Sequence, residues 1–570
     1  MNKIWQLHSK ARDDFFKRYP EYDRIVLQLL YNRGIRDRDD IELFMSGRYE
    51  DNFDPFVFRF MEEAVSLVID SIKSRKKICI YGDYDADGVT STALLFEILS
   101  TLKAECFVYI PDRSSEGYGM HKAAIDKIAN KGASLIITVD NGIRNKAEVA
   151  YAKEKGLEVI VTDHHEPPES PDEFPPCLII DPHVKSERYP FKYLAGVAVA
   201  FKLARALVER STLDKDQKEK MLNRVLDLVA IGTVADCVTL LGENRLLLKK
   251  GLEVLNNTRR IGLKELIKKS KIEDRRLESW NIGFQIAPRL NASGRMGSAG
   301  GAFNLLSTKE KEVAEAEAAK LDERNQRRQK ETEEVVLEVE EQIKKQLDER
   351  IIIGVCPEGR KPWNDGIVGL VAGRIAEKYH KPCLIITRTE GVFKGSGRSI
   401  DEFNLFQALG EAKEFLSKHG GHQLACGFSL AISNIGPFSA KMREIARRDL
   451  EGISLESKVV IDCELGSDEI DRQLLKEISQ LEPFGFRNPQ PRFMTRNVQI
   501  RDIVHLGAEK KHIKLRFDGL WGIAFSKAEE WKDLKIGDFI DIAYHLELNE
   551  FNGNSSLQLK LVDVRLASSK

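Results

Sequence analysis

Between Lys77 and Asp181, short apolar runs rich in β-branched residues alternate with helix-like segments: "KICIYGD", "VTSTALLFEILSTL", "ECFVYIPD", "KAAIDKIANK", "SLIITVDNG", "NKAEVAYAKEKG", "LEVIVTD" and, after a proline-rich loop, "CLIIDPH". Strands that are apolar almost throughout must be covered on both faces, so the pattern predicts a parallel sheet with helices on either side. It also says where chemistry belongs. In such sheets, ligands lie beyond the carboxyl ends of the strands.

Those ends are acidic. Asp83, Asp85 and Asp87 follow the first run, and Asp140 closes "SLIITVD". Asp163, His164 and His165 close "LEVIVTD", and Asp181 with His183 closes "CLIIDPH". Aspartates crowded at alternate positions repel one another, and a cation offsets that repulsion. Carboxylates with imidazoles are a hard-to-borderline donor set, suited to Mn2+ or Mg2+. Two ions bridged by a shared carboxylate would hold a phosphate ester for in-line displacement. Taken alone, "DYDADG" also fits a Ca2+ loop or a polar turn, but it follows a strand and lacks the downstream glutamate of an EF-hand. His164 alone would read as a capping or core histidine; its place among several strand-end donors favours a metal.

The rest of the chain divides by texture. At 570 residues it exceeds what a single core supports, so several domains are expected. Helical patterns run from Leu194 to about Lys269. Residues Thr308 to Leu347 contain no Gly or Pro and predict a long solvated helix, a spacer between two lobes, with a disordered charged linker as the alternative. A second α/β lobe follows. After about Leu455, alternating short strands separated by Gly and Asn turns predict a small β-barrel of OB type.

Lys+Arg of 88 against Asp+Glu of 89 leave a net charge of -1, so any groove for a polyanion must be local. The eight cysteines form no C-x-x-C pair and read as reduced core thiols. The amino terminus lacks an apolar leader, and no charge-free stretch is long enough to span a bilayer. A cytoplasmic protein without a membrane partner is expected.

The chain resembles the DHH phosphoesterase family. The resemblance rests on "DYDADGVTS", "PDRSSEGYGM", "TVDNGI", "VTDHHEPP", "YPFKYLAGVAVAFKLARAL" and "IGTVADCVTL". "APRLNASGRMG", "GSGRSIDEFNL" and "GGHQLACGFSL" are similar to the associated DHHA1 region. It implies an α/β protein with a helical extension (1–70), a parallel-sheet DHH catalytic domain (71–305), a connecting helix (306–350), a DHHA1 domain (351–454) and an OB-type barrel (455–570).

By the same resemblance, two ions, Mn2+ or Mg2+, would be held by Asp85 and Asp140 at one position and by Asp87, Asp140, His164 and Asp236 at the other. Asp83 and His165 would lie beside them. Many family members carry a histidine ligand where this chain has Tyr81, so water or Asp83 would complete the first position, or that ion would bind more weakly. Arg398, Ser399, Gly421 and His422 would grip the terminal nucleotide. Arg289, Asn291 and Arg295 would meet the next phosphates, and Arg113 and His183 are weaker candidates for that work.

The implied activity is metal-dependent 5′ to 3′ hydrolysis of single-stranded DNA to 5′-mononucleotides, in recombination and repair. A RecQ-type helicase and a single-stranded-DNA-binding protein are the expected partners of a monomeric enzyme. A small-molecule phosphodiesterase or pyrophosphatase would use the same metals but usually lacks the added β domain. A non-catalytic replication scaffold would show eroded acids, whereas here they are intact.

Overall fold

A computed structural model describes residues 3–113, 115–344, 346, 348–389, 391–551 and 554–567. Ser114 of the Pro111–Met120 motif, and Lys345 and Leu347 of the expected long helix, lie outside the described residues.

The anticipated parallel sheet is present. Five strands pair in the order Cys106–Tyr109, Lys77–Tyr81, Ala133–Val139, Glu158–Thr162 and Leu178–Ile180, every pairing parallel. Alternation along each strand splits its side chains between two cores. Ile78, Ile80, Ile137 and Ile160 pack with helices Ala86–Thr101 and Gly196–Arg210. Cys79, Tyr81, Ile136 and Val161 face helices Lys122–Asn130 and Lys146–Glu154. The register opposes Tyr81 to Thr138, Val139 to Thr162, and Thr162 to Ile180, so the strands finish level. The acids that follow them therefore share one edge.

Helix Lys311–Ile343 runs for 33 residues, about 50 Å at 1.5 Å per residue. Most of its residues are exposed or half-buried, as its charge density suggests, and each end packs on a different lobe. Ala314, Ala318 and Leu321 are buried in the first lobe, and Val335, Val339 and Ile343 in the second lobe. Apolar residues at helical spacing at each end make two short buried stripes, and the turns between Leu321 and Val335 carry none. The second lobe is a mixed five-stranded sheet, Ile352–Val355, Cys383–Thr389, Val392–Arg398, Ala425–Leu430 and Lys418–His422, and only its first pairing is parallel.

The carboxyl-terminal region forms a seven-stranded sheet that includes the long hairpin Phe539–Phe551 and Asn554–Leu566. The amino-terminal region differs from a separate helical extension. Ile4–Leu7 is a strand, parallel to Lys458–Ile461. Phe15, Leu27, Leu30 and Phe44 share one core with Phe493, Leu515, Ile540 and Tyr544 of the β domain. The short helices Asp13–Arg18, Arg24–Asn32 and Arg38–Ser46 have apolar faces too small to enclose one another, so the β domain covers them. Arg245 of the first lobe ties the junction. Its buried guanidinium donates to the carbonyls of Phe44, Leu481 and Gln480 at 3.0, 2.9 and 3.0 Å.

Candidate metal centre

The site begins with the turn after the first strand. Asp85 caps helix Ala86–Thr101, its carboxylate accepting the Gly88 amide at 3.0 Å. Asp87, in the first turn, turns away from its own helix. It accepts the amides of Gly196 and Val197, at 2.8 and 2.9 Å, from the start of helix Gly196–Arg210. A helix amino terminus favours an anion there. Asp140 takes a left-handed backbone, φ 62°, which Asp adopts more readily than most residues. Its turn is tied by Thr138 Oγ1 donating to the Asn141 carbonyl at 2.6 Å and by Asn141 Nδ2 donating to the Val139 carbonyl at 2.9 Å.

These elements meet at His164. Its Nε2 lies 3.1 Å from Asp140 Oδ1, 3.6 Å from Asp236 Oδ2 and 4.0 Å from Asp87 Oδ2. Asp236 arrives at the carboxyl cap of helix Leu226–Ala235. Ligand atoms of Asp87, His164 and Asp236 all fall within 4.8 Å of one another, as do those of Asp83, Asp85 and Asp140, and those of Asp140, His164 and His165.

The protonation pattern follows from burial among like charges. Asp140 and Asp83 are raised well above the usual carboxylate range by desolvation, then by neighbouring aspartates. Asp87 and Asp236 are pushed up to about 7, by burial first and then by Asp236 and Asp85 respectively. Burial lowers His164, keeping it neutral. The buried atoms Asp83 Oδ1, Asp140 Oδ1 and His164 Nε2 make no hydrogen bond. Buried polar atoms without partners are costly, and hard oxygens facing a neutral imidazole fit Mn2+ or Mg2+.

Sequence reasoning left out how these ligands are held. Asp163 Oδ1 accepts the His164 amide at 2.8 Å and lies 2.7 Å from His165 Nδ1. Burial opposes a charge on His165, but Asp163 outweighs it and lifts the ring to about 9. The Tyr118 hydroxyl is 3.1 Å from the same nitrogen. Gly196 and Val197 act through their amides, and the available signal was a glycine opening an apolar helical run. Tyr81 is turned to the opposite face of the sheet. Its hydroxyl donates to the Gly119 carbonyl at 3.0 Å and its ring stacks on Tyr109, and the carboxylate grouped with Asp85 and Asp140 is that of Asp83.

Comparison with known proteins identifies the family. Residues 77–233 match the DHH family N-terminal domain, 348–448 the DHHA1 domain and 461–563 the RecJ OB domain. The single-stranded-DNA-specific exonuclease RecJ of Bacillus subtilis is 39% identical over 95% of this chain and 68% of its own length. The Salmonella typhimurium protein of the same name is 32% identical over 99% of this chain and 100% of its own length. This chain belongs to the RecJ family. The crystal structure of RecJ in complex with Mn2+ from Thermus thermophilus superposes with a TM-score of 0.83 at 28% identity, covering 99% of this chain and 80% of that one.

Around the RecJ-type centre, the expected substrate residues separate into groups. Arg113, Arg295 and Arg398 line one cleft of about 340 Å³ between the lobes, with Lys394 and a single acid, Asp365. Arg295 is pushed down to about 10, by burial and then by Arg113 and Arg328. Its Nη1 donates to the Gly366 carbonyl of the second lobe at 3.0 Å. Other candidates are engaged in building the fold. Asn291 Oδ1 accepts the Ala86 amide at 2.9 Å, Arg289 forks onto Asp322 at 2.9 Å, and the Ser399 hydroxyl donates to the Phe403 carbonyl at 2.7 Å. His183 Nδ1 sits 2.5 Å from the His164 carbonyl oxygen and steadies the ligand loop. Gly421 and His422 lie on the exposed strand Lys418–His422.

Proposed function

We propose that this chain is a metal-dependent exonuclease that hydrolyses single-stranded DNA from its 5′ end to release 5′-mononucleotides. The observation that carries the reading is the convergence of Asp83, Asp85, Asp87, Asp140, His164 and Asp236, with three buried ligand atoms that no hydrogen bond satisfies. Asp87, His164 and Asp236 would hold one divalent ion, Asp83 and Asp85 the other, with Asp140 shared. Bound Mn2+ or Mg2+ would supply Lewis acidity at the phosphate and a water activated near neutral pH.

The chain's own groups do the remaining work. The Gly196 and Val197 amides hold Asp87 in the orientation the ligand shell needs. Asp163 keeps His165 charged at neutral pH, so its free ring nitrogen can donate to a phosphate oxygen. Arg113, Arg295, Lys394 and Arg398 give the inter-lobe cleft the positive lining that a DNA backbone requires. In the β domain, Lys514 Nζ and Arg516 Cζ lie 4.6 and 5.8 Å from the Trp521 ring, a basic and aromatic surface suited to a single strand. A small-molecule phosphodiesterase would have no use for that surface. A RecQ-type helicase and a single-stranded-DNA-binding protein would supply the strand to a monomeric enzyme. Among the described residues no helix is long and apolar enough to cross a membrane.

The test is digestion of oligonucleotides labelled at either end, single- and double-stranded, with Mn2+ and with EDTA. Mononucleotides should leave the 5′ end of the single strand only, and only with metal. Release from the 3′ end, or from duplex, would refute the proposal.

A further inference from the structure

The segment leading into the "APRLNASGRMG" motif carries an exposed aromatic pair that the reaction above does not use. Trp280 and Phe284 are 54% and 66% exposed. Their rings are stacked on each other, with centroids 5.3 Å apart and planes at 25°. Isolated surface aromatics need no explanation, but two stacked large rings left open to water present a continuous apolar surface. Phe284 sits in a single π-helical turn, Ile282–Ile286, a wide turn frequent at functional positions, and Trp280 in the short helix Ser279–Asn281 just before it.

The placement of the pair says what would cover it. Trp280, Phe284, Pro288, Asn291 and Arg295 recur at helical spacing and mark the less buried face, whereas Ile282, Ile286 and Leu290 face the core. Asn291 holds the Ala86 amide between Asp85 and Asp87, and Arg295 lines the inter-lobe cleft. Seven residues separate Phe284 from Asn291, about 10 Å along a helix axis, or roughly three stacked nucleotides at about 3.4 Å each. On the other side stands the β domain. Ser279, adjacent to Trp280, donates its hydroxyl to the Phe484 carbonyl, and the Leu240 amide donates to the Phe486 carbonyl at 2.9 Å. That loop presents an exposed Phe486 ring and Arg487, whose guanidinium carbon is 5.7 Å from it. Along the chain the aromatic pair thus lies between a contact with the β domain at Ser279 and two residues, Asn291 and Arg295, that respectively touch the acidic turn and line the cleft.

We infer that Trp280 and Phe284 form a stacking platform for bases of the single strand a few nucleotides from the scissile phosphate. This rests on the exonuclease reading for the identity of the ligand. Rings engage bases of any sequence through their π faces, as a nuclease without sequence preference requires. A base paired in a duplex is already stacked on its neighbours and cannot lie on the platform, so the pair also discriminates against double strands.

The test is equilibrium binding, by fluorescence anisotropy in EDTA, of a labelled single strand and of the same strand with abasic residues in place of nucleotides. Wild type should prefer the base-bearing strand by about tenfold or more. Trp280→Ala and Phe284→Ala should each reduce that preference while binding the abasic strand as wild type does. Trp280→Phe, which keeps a ring, should retain it, and thermal unfolding of each variant establishes that it is folded. Unchanged preference in both alanine variants, or equal loss on both strands, overturns the platform; the first outcome would leave the pair to a protein partner. Digestion by wild type with Mn2+ is scored separately. Base-dependent binding without digestion would sink the exonuclease reading and leave the platform standing.

Discussion

The carboxylate of Asp87 caps a helix to which it does not belong, accepting the Gly196 amide at 2.8 Å. A Cβ on Gly196 would stand 2.4 Å from Asp140 Oδ1, so this glycine lets the helix approach two acids at once. Gly196→Ala should therefore displace both carboxylates. The expected result is a loss of about 10- to 100-fold in Mn2+ affinity or in digestion rate, measured by metal titration of a variant with a normal circular dichroism spectrum. An unaltered Mn2+ titration would show that the contact does not position the ligands.

Asp140→Asn separates chemistry from stability. Asn tolerates the left-handed backbone at this position, whereas Ala would add strain. Desolvation, Asp87 and Asp85 all oppose a charge on Asp140, so the amide should raise metal-free stability by about 1 kcal/mol. The same change should abolish Mn2+-dependent nucleotide release. Calorimetry in EDTA paired with a nuclease assay checks both halves.

Tyr81 and Asp83 make opposite predictions. Tyr81→Phe leaves the Gly119 carbonyl without its donor and should cost about 1 kcal/mol in chemical denaturation, with the Mn2+ dependence of activity unchanged. Asp83→Asn should weaken that dependence by about 10-fold or more. The reverse pattern would put Tyr81 among the ligands.

Metal-free stability should depend on pH through Asp87 and Asp236. Both carboxyls stand at about 7 in the folded chain, against about 3.9 when unfolded. A raised folded pKa contributes stability that is present below the unfolded value and lost as pH rises through the folded one. Relative to a variant carrying Asp87→Asn and Asp236→Asn, wild type in EDTA should lose thermal stability between about pH 4 and pH 7. Added Mn2+ should restore more at pH 8 than at pH 5, because binding displaces those protons. A flat difference between the two proteins would show that these acids do not titrate in this window.

Removing the β domain alone should not yield a soluble enzyme. Truncation after residue 454 would strip the partners of Phe15, Leu27, Leu30 and Phe44 and leave an apolar face open. Aggregation of that variant, relieved when residues 3–47 are removed as well, is the expected outcome in size-exclusion chromatography. Equal solubility of the two truncations would contradict the shared core.

The parallel sheet was readable because its strands announce themselves locally, and acids placed immediately after each strand need only a level register to converge. The same local logic put Asp85, Asp140 and His164 at strand ends, and the fold brings their ligand atoms into adjoining clusters. It could not distinguish Arg295, which lines the cleft, from Arg289, which forks onto Asp322. Side chains of identical chemistry seven positions or fewer apart on a helix are separated only by what packs against them.

The order of strands and helices, the acids at the strand ends and the long helix follow from hydrophobic period and residue type, which neighbouring positions already encode. Tertiary structure alone decided that a helix some 110 residues away grips Asp87 and that residues 3–47 complete the β domain. Those contacts join segments distant in the chain, and their energy comes from desolvating surfaces that meet only when the chain is folded.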